Sequence, residues 1–263
     1  MPLRMIVCVK QVPGTSQVEI DSTTGVLKRD GVESKLNPYD LYSLEAALSL
    51  SSIYRGEVRT LSMGPPQAKA VLLEAIYMGA DSGVLVSDKR FAGSDVLATA
   101  YTLSQAIKCL GEYDLIICGK QTTDGDTAQV GAELAEFLSV PHACHVLSVE
   151  PQGTNIVARL SQGDQIITQR MPMPCLLCMD SDINTPRLPS YKRKKGMLSE
   201  PIVTLTLDDF IDKDASHYGL SGSPTQVDRI FPPEKCGAKE VFTGSTEELS
   251  TIFARILVER KFV

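Results

Sequence analysis

The chain has no tryptophan, three histidines and few aromatic residues of any kind. With so little imidazole and no recognisable hydrolase motif, acyl or phosphoryl chemistry has no visible machinery. Positive charge is not in excess: 26 Lys and Arg face 32 Asp and Glu, a net charge of −6. A nucleic-acid partner requires a basic face, so none is expected. No stretch of about 18 apolar residues occurs, so no membrane span is expected either. The short apolar run near the start passes straight into Lys10, Gln11 and Pro13. It lacks the longer apolar core and small-residue cleavage site of a signal peptide. The seven cysteines are an odd number. They scatter through apolar stretches, which suits reduced thiols in a reducing, cytoplasmic compartment better than a disulfide framework. Neither a G-x-G-x-x-G fingerprint nor a Walker A motif is present.

What is present is alternation. The 263 residues, 43% of them hydrophobic, suffice for one or two domains with a full core. Residues 5–9 are a continuous apolar run of strand length. Residues 38–51 carry Leu41, Leu44, Ala47 and Leu48 at helical spacing. Asn37 ahead of Pro38 predicts an N-cap with proline at the first helical position. Strands follow at 58–63, 83–87 and 115–118. Helices follow at 66–78, from Ser94 or Asp95 to about 109, and at 127–138. Parallel strands need helical crossovers, so this series predicts an α/β fold with a doubly wound, mostly parallel sheet. The fully apolar strands suit a sheet covered on both faces.

After Pro141 the rhythm changes. Residues 142–150, 155–160, 165–171 and 175–179 read as strands separated by Gly153 and Gly163, an antiparallel extension of the same sheet. From about residue 182 the chain is rich in proline and charge. Residues 216–239 read as an extended arm, and 246–260 as an amphipathic helix. The expected division is therefore a nucleotide-binding domain over 1–185, then 186–263 as docking loop, arm and terminal helix. A long segment with no core of its own usually packs on something else, often a partner subunit. A free tail is the alternative.

In open parallel sheets, ligands lie at the carboxyl ends of the strands. Four loops leave those ends, at 10–15, 64–66, 88–94 and 119–126. The last reads Gly119-Lys-Gln-Thr-Thr-Asp-Gly-Asp-Thr-Ala-Gln-Val-Gly131. It follows a strand and opens a helix. Gly119 and Gly125 permit unusual dihedrals and close backbone approach. Asp126 and Thr127 are candidate helix caps. The spacing fits a phosphate-binding helix start and equally a capped surface loop. The turn Phe91-Ala-Gly-Ser-Asp95 again sets a glycine and a cap beside an aromatic, either a second nucleotide site or simply a capped turn. Cys175-Leu-Leu-Cys178 and His142-Ala-Cys-His145 imitate a zinc site. A strand, however, puts residues i and i+3 on opposite faces, so an inert buried strand is the better reading. The run Lys192-Arg-Lys-Lys195 is a solvated linker or a contact with a protein partner. A cofactor that carries the chemistry fits this chain better than side-chain catalysis.

Six segments, in order, resemble the beta subunit of electron transfer flavoproteins. They are Val7-Cys-Val-Lys-Gln-Val-Pro13, Asn37-Pro-Tyr-Asp40, Leu61-Ser-Met-Gly-Pro-Pro66, Met78-Gly-Ala-Asp81, the 119–131 loop and Asp182-Ile-Asn-Thr-Pro-Arg187. The resemblance covers essentially the whole chain. It implies a subunit paired with a larger, FAD-bearing alpha subunit. It implies adenine near Cys8, Val9 and Met63, with Asn37 and Asp40 close by. It implies phosphate held on Asp124, Gly125, Asp126, Thr127, Ala128, Gln129 and Val130, with Gly119, Lys120, Gln121 and Thr123 also in the cofactor site. Tyr39 would approach the alpha-subunit flavin. The segment 182–189, with Leu188 at its tip, would dock a flavin-dependent acyl-CoA or hydroxyacid dehydrogenase. In simpler members the bound nucleotide is AMP. In the electron-bifurcating branch it is FAD, reduced by NADH, with ferredoxin or flavodoxin as second acceptor. Residues 10–13, 91–95, 124–131 and 219–225 are similar to that branch, which implies NAD(H) over Phe91, Gly93, Ser94, Asp95 and Thr99. The sequence departs from that branch at Gly14, where aspartate is common. A free-standing adenine-nucleotide-binding regulator on the same fold is an alternative of another class.

Overall fold

The computed structural model describes residues 2–14, 34–227 and 240–262. The chain divides into two compact units, Met1–Asp228 and Arg229–Val263.

The first unit is built on nine strands. Five parallel strands alternate with helices: β1 (Arg4–Cys8), β4 (Glu57–Met63), β5 (Ser82–Val86), β6 (Leu115–Gly119) and β10 (Cys175–Met179). Between the first four lie α1 (Pro38–Tyr54), α2 (Lys69–Met78) and α3 (Val96–Cys109), and α4 (Val130–Leu138) follows β6. A meander follows, β7 (His142–Gln152), β8 (Asn155–Gln162) and β9 (Gln165–Pro172); after β10 come a short helix, α5 (Tyr191–Gly196), and β11 (Ile202–Leu205), which closes the other edge. The order is β11-β5-β4-β1-β6-β10-β7-β8-β9, with only the β7–β8 and β8–β9 pairings antiparallel. β2 (Gln11–Pro13) and β3 (Ser34–Leu36) form a separate antiparallel pair.

The period of two explains why both faces are buried. Met5, Val7, Leu115, Ile117, Cys175 and Leu177 point to the layer that holds Leu44 and Leu48 of α1 and Leu72 and Ile76 of α2. Ile6, Ile116, Cys118, Leu176 and Cys178 point to the opposite layer, with Leu103 and Ile107 of α3 and Leu134 of α4. Each fully buried leucine or isoleucine contributes roughly 1.5–3 kcal/mol. The doubly wound sheet and its antiparallel extension match expectation.

Several expectations are corrected. Residues 175–179 do not join the antiparallel extension. They insert between β6 and β7, parallel to both, as a central strand. The run is apolar at every position, and all five of its residues are buried. The helix expected from 127 begins at Val130, and neither Asp126 nor Thr127 caps it. Asp126 and Ala128 instead take positive φ of 52° and 56°. The first unit also runs past residue 185. β11 pairs with β5, and Phe210 and Tyr218 are buried against Phe91, whose ring centroid lies 5.5 Å from that of Phe210. Tyr101 Oη donates to Asp212 Oδ2 at 2.5 Å, which binds this stretch to α3, and Tyr218 Oη donates to the Asp212 carbonyl at 2.6 Å within the stretch. Part of the expected arm, residues 228–239, lies outside the described residues, as do Thr15 and Cys236.

In the second unit, α6 (Thr246–Glu259) starts in a capping box made by Ser245 and Glu248. Leu249, Ile252, Phe253 and Ile256 share one face at helical spacing, yet no residue of the helix is buried. Among the described residues no helix is long and apolar enough to cross a membrane.

Phe210→Ala should cost about 3–5 kcal/mol, the usual loss for a fully buried aromatic, read by urea denaturation of the full chain. A loss below about 1 kcal/mol would mean that residues 202–218 add nothing to this core.

Candidate functional site

The sheet reverses its winding at β1: the chain runs outward through β4 and β5, then returns to β6 on the other side. A crevice opens where the direction changes. Its two walls are the start of α1 and the loop that leaves β6. Gly119 permits their approach, because a Cβ there would collide with Asp40 Oδ1 and press on the Tyr39 backbone. Asp40 is buried and accepts from the Lys10 amide at 2.7 Å and from the Gly119 amide. Burial pushes its carboxyl up to about 7, partly offset by those donors and by Asn37.

Asn37 works differently from the cap the sequence suggests. Pro38 does occupy the first turn, but the Asn37 side chain makes no capping bond. It is fully buried, gives Nδ2 to the Gln121 carbonyl at 2.9 Å and takes the Thr123 amide on Oδ1 at 3.3 Å. It therefore braces the loop from beneath, as a strand neighbour would. Lys10 Nζ reaches across to Asp124 Oδ1 at 2.8 Å. That ammonium holds the Asp124 carboxyl below its usual range although partial burial opposes the shift. Lys120 Nζ pairs with Asp180 Oδ2 at 3.2 Å and lies 5.8 Å from the centre of the Tyr39 ring. Gln121 Nε2 donates to Asp126 Oδ1. The carboxylates of this loop are thus each engaged from the side.

From Thr123 to Gln129 the loop is exposed. The Asp126 amide closes a turn onto the Thr122 carbonyl at 3.0 Å. The start of α4 has no side-chain cap, so the amides of its first turn are open to an incoming anion. Gly125, Thr127 and Ala128 add little bulk. These residues fit a phosphate or diphosphate. Cys8, Val9 and Met63 lie at the neighbouring ends of β1 and β4. Val9 contributes backbone only, because its side chain is buried and its amide is bonded to the Leu61 carbonyl at 2.8 Å.

An electron transfer flavoprotein domain model matches residues 24–210. The chain belongs to the electron transfer flavoprotein family. It is 40% identical, over 99% of its length and 100% of the relative, to the electron transfer flavoprotein subunit beta of Clostridium acetobutylicum. It is 40% identical to the caffeyl-CoA reductase-Etf complex subunit CarD of Acetobacterium woodii, with 93% of each chain covered. It is 36% identical to the acryloyl-CoA reductase electron transfer subunit gamma of Anaerotignum propionicum, with 94% of each covered.

In this flavoprotein-family chain the turn at 91–95 differs from the 119–130 loop in one decisive respect. Asp95 caps α3 itself, taking the Ala98 amide on Oδ1 at 3.0 Å. Its other oxygen accepts from Thr225 N and Oγ1 at 3.0 and 2.7 Å. Leu220 N bonds the Ala92 carbonyl, and Ser223 Oγ receives the Asp95 amide at 2.8 Å. Phe91 faces the core, not the crevice. Gly93 is exposed, and Ser94 and Thr99 are half-buried. The two segments are still close, since Asp95 and burial together raise the Glu133 carboxyl of α4 above its usual range.

Lys10 and Asp180 were missed as site residues. Each directly follows an apolar strand, the same position in the pattern as Gly119, and that is the signal by which they can be found.

Asn37→Ala leaves the Gln121 carbonyl and Thr123 amide without partners and should cost about 1–3 kcal/mol. Urea denaturation would read the cost and limited proteolysis the freed loop; an unchanged midpoint and cleavage pattern would refute the brace. Asp40 makes a pH prediction. Its carboxyl rises from 3.8 to about 7 on folding, so folding takes up a proton and this group's contribution falls as pH rises through that window. Asp40→Asn should flatten the decline in stability measured between about pH 4 and about pH 7. An identical decline in the variant would place its origin elsewhere.

Proposed function

We propose that this chain is the beta subunit of a heterodimeric electron transfer flavoprotein, binding FAD along residues 119–130 and using NADH as the hydride donor at the 91–95 turn. Its electrons would divide between the alpha-subunit flavin, which serves a partner dehydrogenase, and ferredoxin or flavodoxin. The observation that carries the nucleotide reading is the uncapped start of α4, held open by Asn37 and approached closely at Gly119. FAD, when bound, supplies the hydride-accepting and one-electron chemistry. The part left to the chain is positioning. Asn37 and Lys10 fix the loop, and the first-turn amides of α4 would neutralise the diphosphate. Ser94, Thr99 and the Gly93 backbone are the groups available to NADH, while Phe91 and Asp95 shape the turn from within.

Two surfaces support the partners. The 182–189 segment is fixed to α1, with Asn184 Nδ2 on the Tyr42 carbonyl at 2.9 Å and Arg187 forked onto Glu45 at 2.7 and 2.8 Å. This leaves Leu188 86% exposed on a rigid base, a preorganised contact for a dehydrogenase. The uncovered apolar face of α6 suits docking on the alpha subunit. The relatives named for caffeyl-CoA and acryloyl-CoA reductases support a dehydrogenase of the acyl-CoA type.

A second reading, AMP held structurally without NADH, is favoured by the fully engaged Asp95 carboxylate at the α3 start. Co-purification with the alpha subunit, followed by acid release and chromatography, separates the two. Two FAD per heterodimer, with flavin bleaching on NADH addition, is the expected result. One FAD with one AMP would overturn the FAD and NADH assignments together.

A further inference from the structure

Four thiols stand side by side across four adjacent strands, at the carboxyl ends of three of them and near the amino end of β7. Cys178 of β10 is in register with Cys118 of β6. Cys8 of β1 lies beyond Cys118, whose thiol contacts both Cys8 and Cys178. On the other flank Cys144 of β7 contacts Cys178. All four face the α3–α4 layer, with Cys118 and Cys178 buried and Cys8 and Cys144 half-buried at the two ends of the row. The first turn of α4 rests on it: a Cβ on Gly131 would collide with Cys178 Sγ and lie 3.7 Å from Cys118 Cβ.

The row is not uniform. β6 and β10 pair without irregularity, but the β10–β7 register shifts between Leu177 and Met179. His145, next to Cys144, takes a positive φ of 56° there. Such a bulge leaves a residue outside the ladder and gives it local freedom. Neighbouring strands lie about 4.8 Å apart, inside the Cα separation of about 4.4–6.8 Å that a disulfide accepts. Cys144 therefore combines access from solvent, contact with a second thiol and backbone play. Cys118 and Cys178 have the contact without the access.

We propose that Cys144 and Cys178 form a reversible redox pair, oxidised by a peroxide to a disulfide that loosens the start of α4. Hydrogen peroxide gives one oxygen to the Cys144 sulfur, forming a sulfenic acid and releasing water. The Cys178 sulfur then attacks Cys144, the S–O bond breaks, and a second water leaves. The two thiols lose two electrons and two hydrogens, and peroxide is reduced to water. A dithiol reverses the change by exchange. Cys178 must move to make the bond, and Gly131, seated on its sulfur, has to move with it. Because α4 begins where the 119–129 loop ends, the oxidised form reports thiol state to that loop.

The test uses the full reduced chain with its partner subunit, treated with hydrogen peroxide, quenched by alkylation and mapped by peptide mass spectrometry. The expected product is a 144–178 cross-link lighter by two hydrogens, lost on dithiothreitol treatment and absent in Cys144→Ser. Hydrogen exchange should show loss of protection at residues 133–136, the first hydrogen-bonded amides of α4, in the oxidised protein only. Cys144 is half-buried at the edge of the row, so its serine variant keeps the core; a Cys118→Ala variant should still form the cross-link. Cross-linking confined to Cys109 or Cys236, or direct passage of Cys144 to the sulfinic acid, would overturn the pair. A 144–178 cross-link with unchanged exchange at 133–136 would overturn its hold on α4.

Discussion

The site depends on one contact, the buried carboxylate of Asp40 lying against a residue with no side chain. Gly119 lets the first turn of α1 press onto the end of β6, and Asp40 then collects the Lys10 and Gly119 amides. The ends of β1 and β6 are thereby fixed to each other through one group. A buried carboxyl is costly unless its oxygens are hydrogen-bonded, so the amides are as necessary to Asp40 as Asp40 is to them. Asn37, three residues earlier, extends the same arrangement to the exposed loop. Everything proposed for ligand binding presupposes that these elements stay in register.

Two helix starts on the same edge of the sheet have opposite chemistry. α3 carries its own anion, the Asp95 carboxylate, on its first-turn amides, and the 219–225 stretch closes over it. α4 carries none, and its approach is strained backbone with positive φ at Asp126 and Ala128. Strain of this kind costs about 1–3 kcal/mol per residue and persists where surroundings enforce it. The difference explains why a sequence with two similar glycine-plus-cap segments offers one ready anion site. It also gives the 91–95 turn a structural role of its own.

The alternation of apolar runs and helical stripes made the parallel half of the fold legible, because both periods are local. The helix starts were less so. Asp95 caps as the spacing suggests, whereas Asp126 and Thr127 do not, since the Thr122 carbonyl takes the Asp126 amide first and turns the chain away. The place of 175–179 was illegible for another reason: an apolar pentapeptide carries no information on which strands it will separate. Asn37 looked like a cap and is a cross-brace, a role set by Gln121 and Thr123 more than 80 residues away. Likewise Phe91 read as a ligand contact until Phe210 and Tyr218, more than 100 residues later, enclosed it.

The insertion of β10 has a consequence for how the chain is made. β6 and β7 are separated in space by a strand that follows both in sequence. During synthesis the helix-covered half and the β7–β8–β9 meander can each form from local pairings. They have no shared strand until residue 179 has left the ribosome. For that interval both carry an unsatisfied backbone edge, β6 on one side and β7 on the other, flanking an empty slot one strand wide. The nascent chain is held in two pieces, and one five-residue segment decides when they become a single sheet.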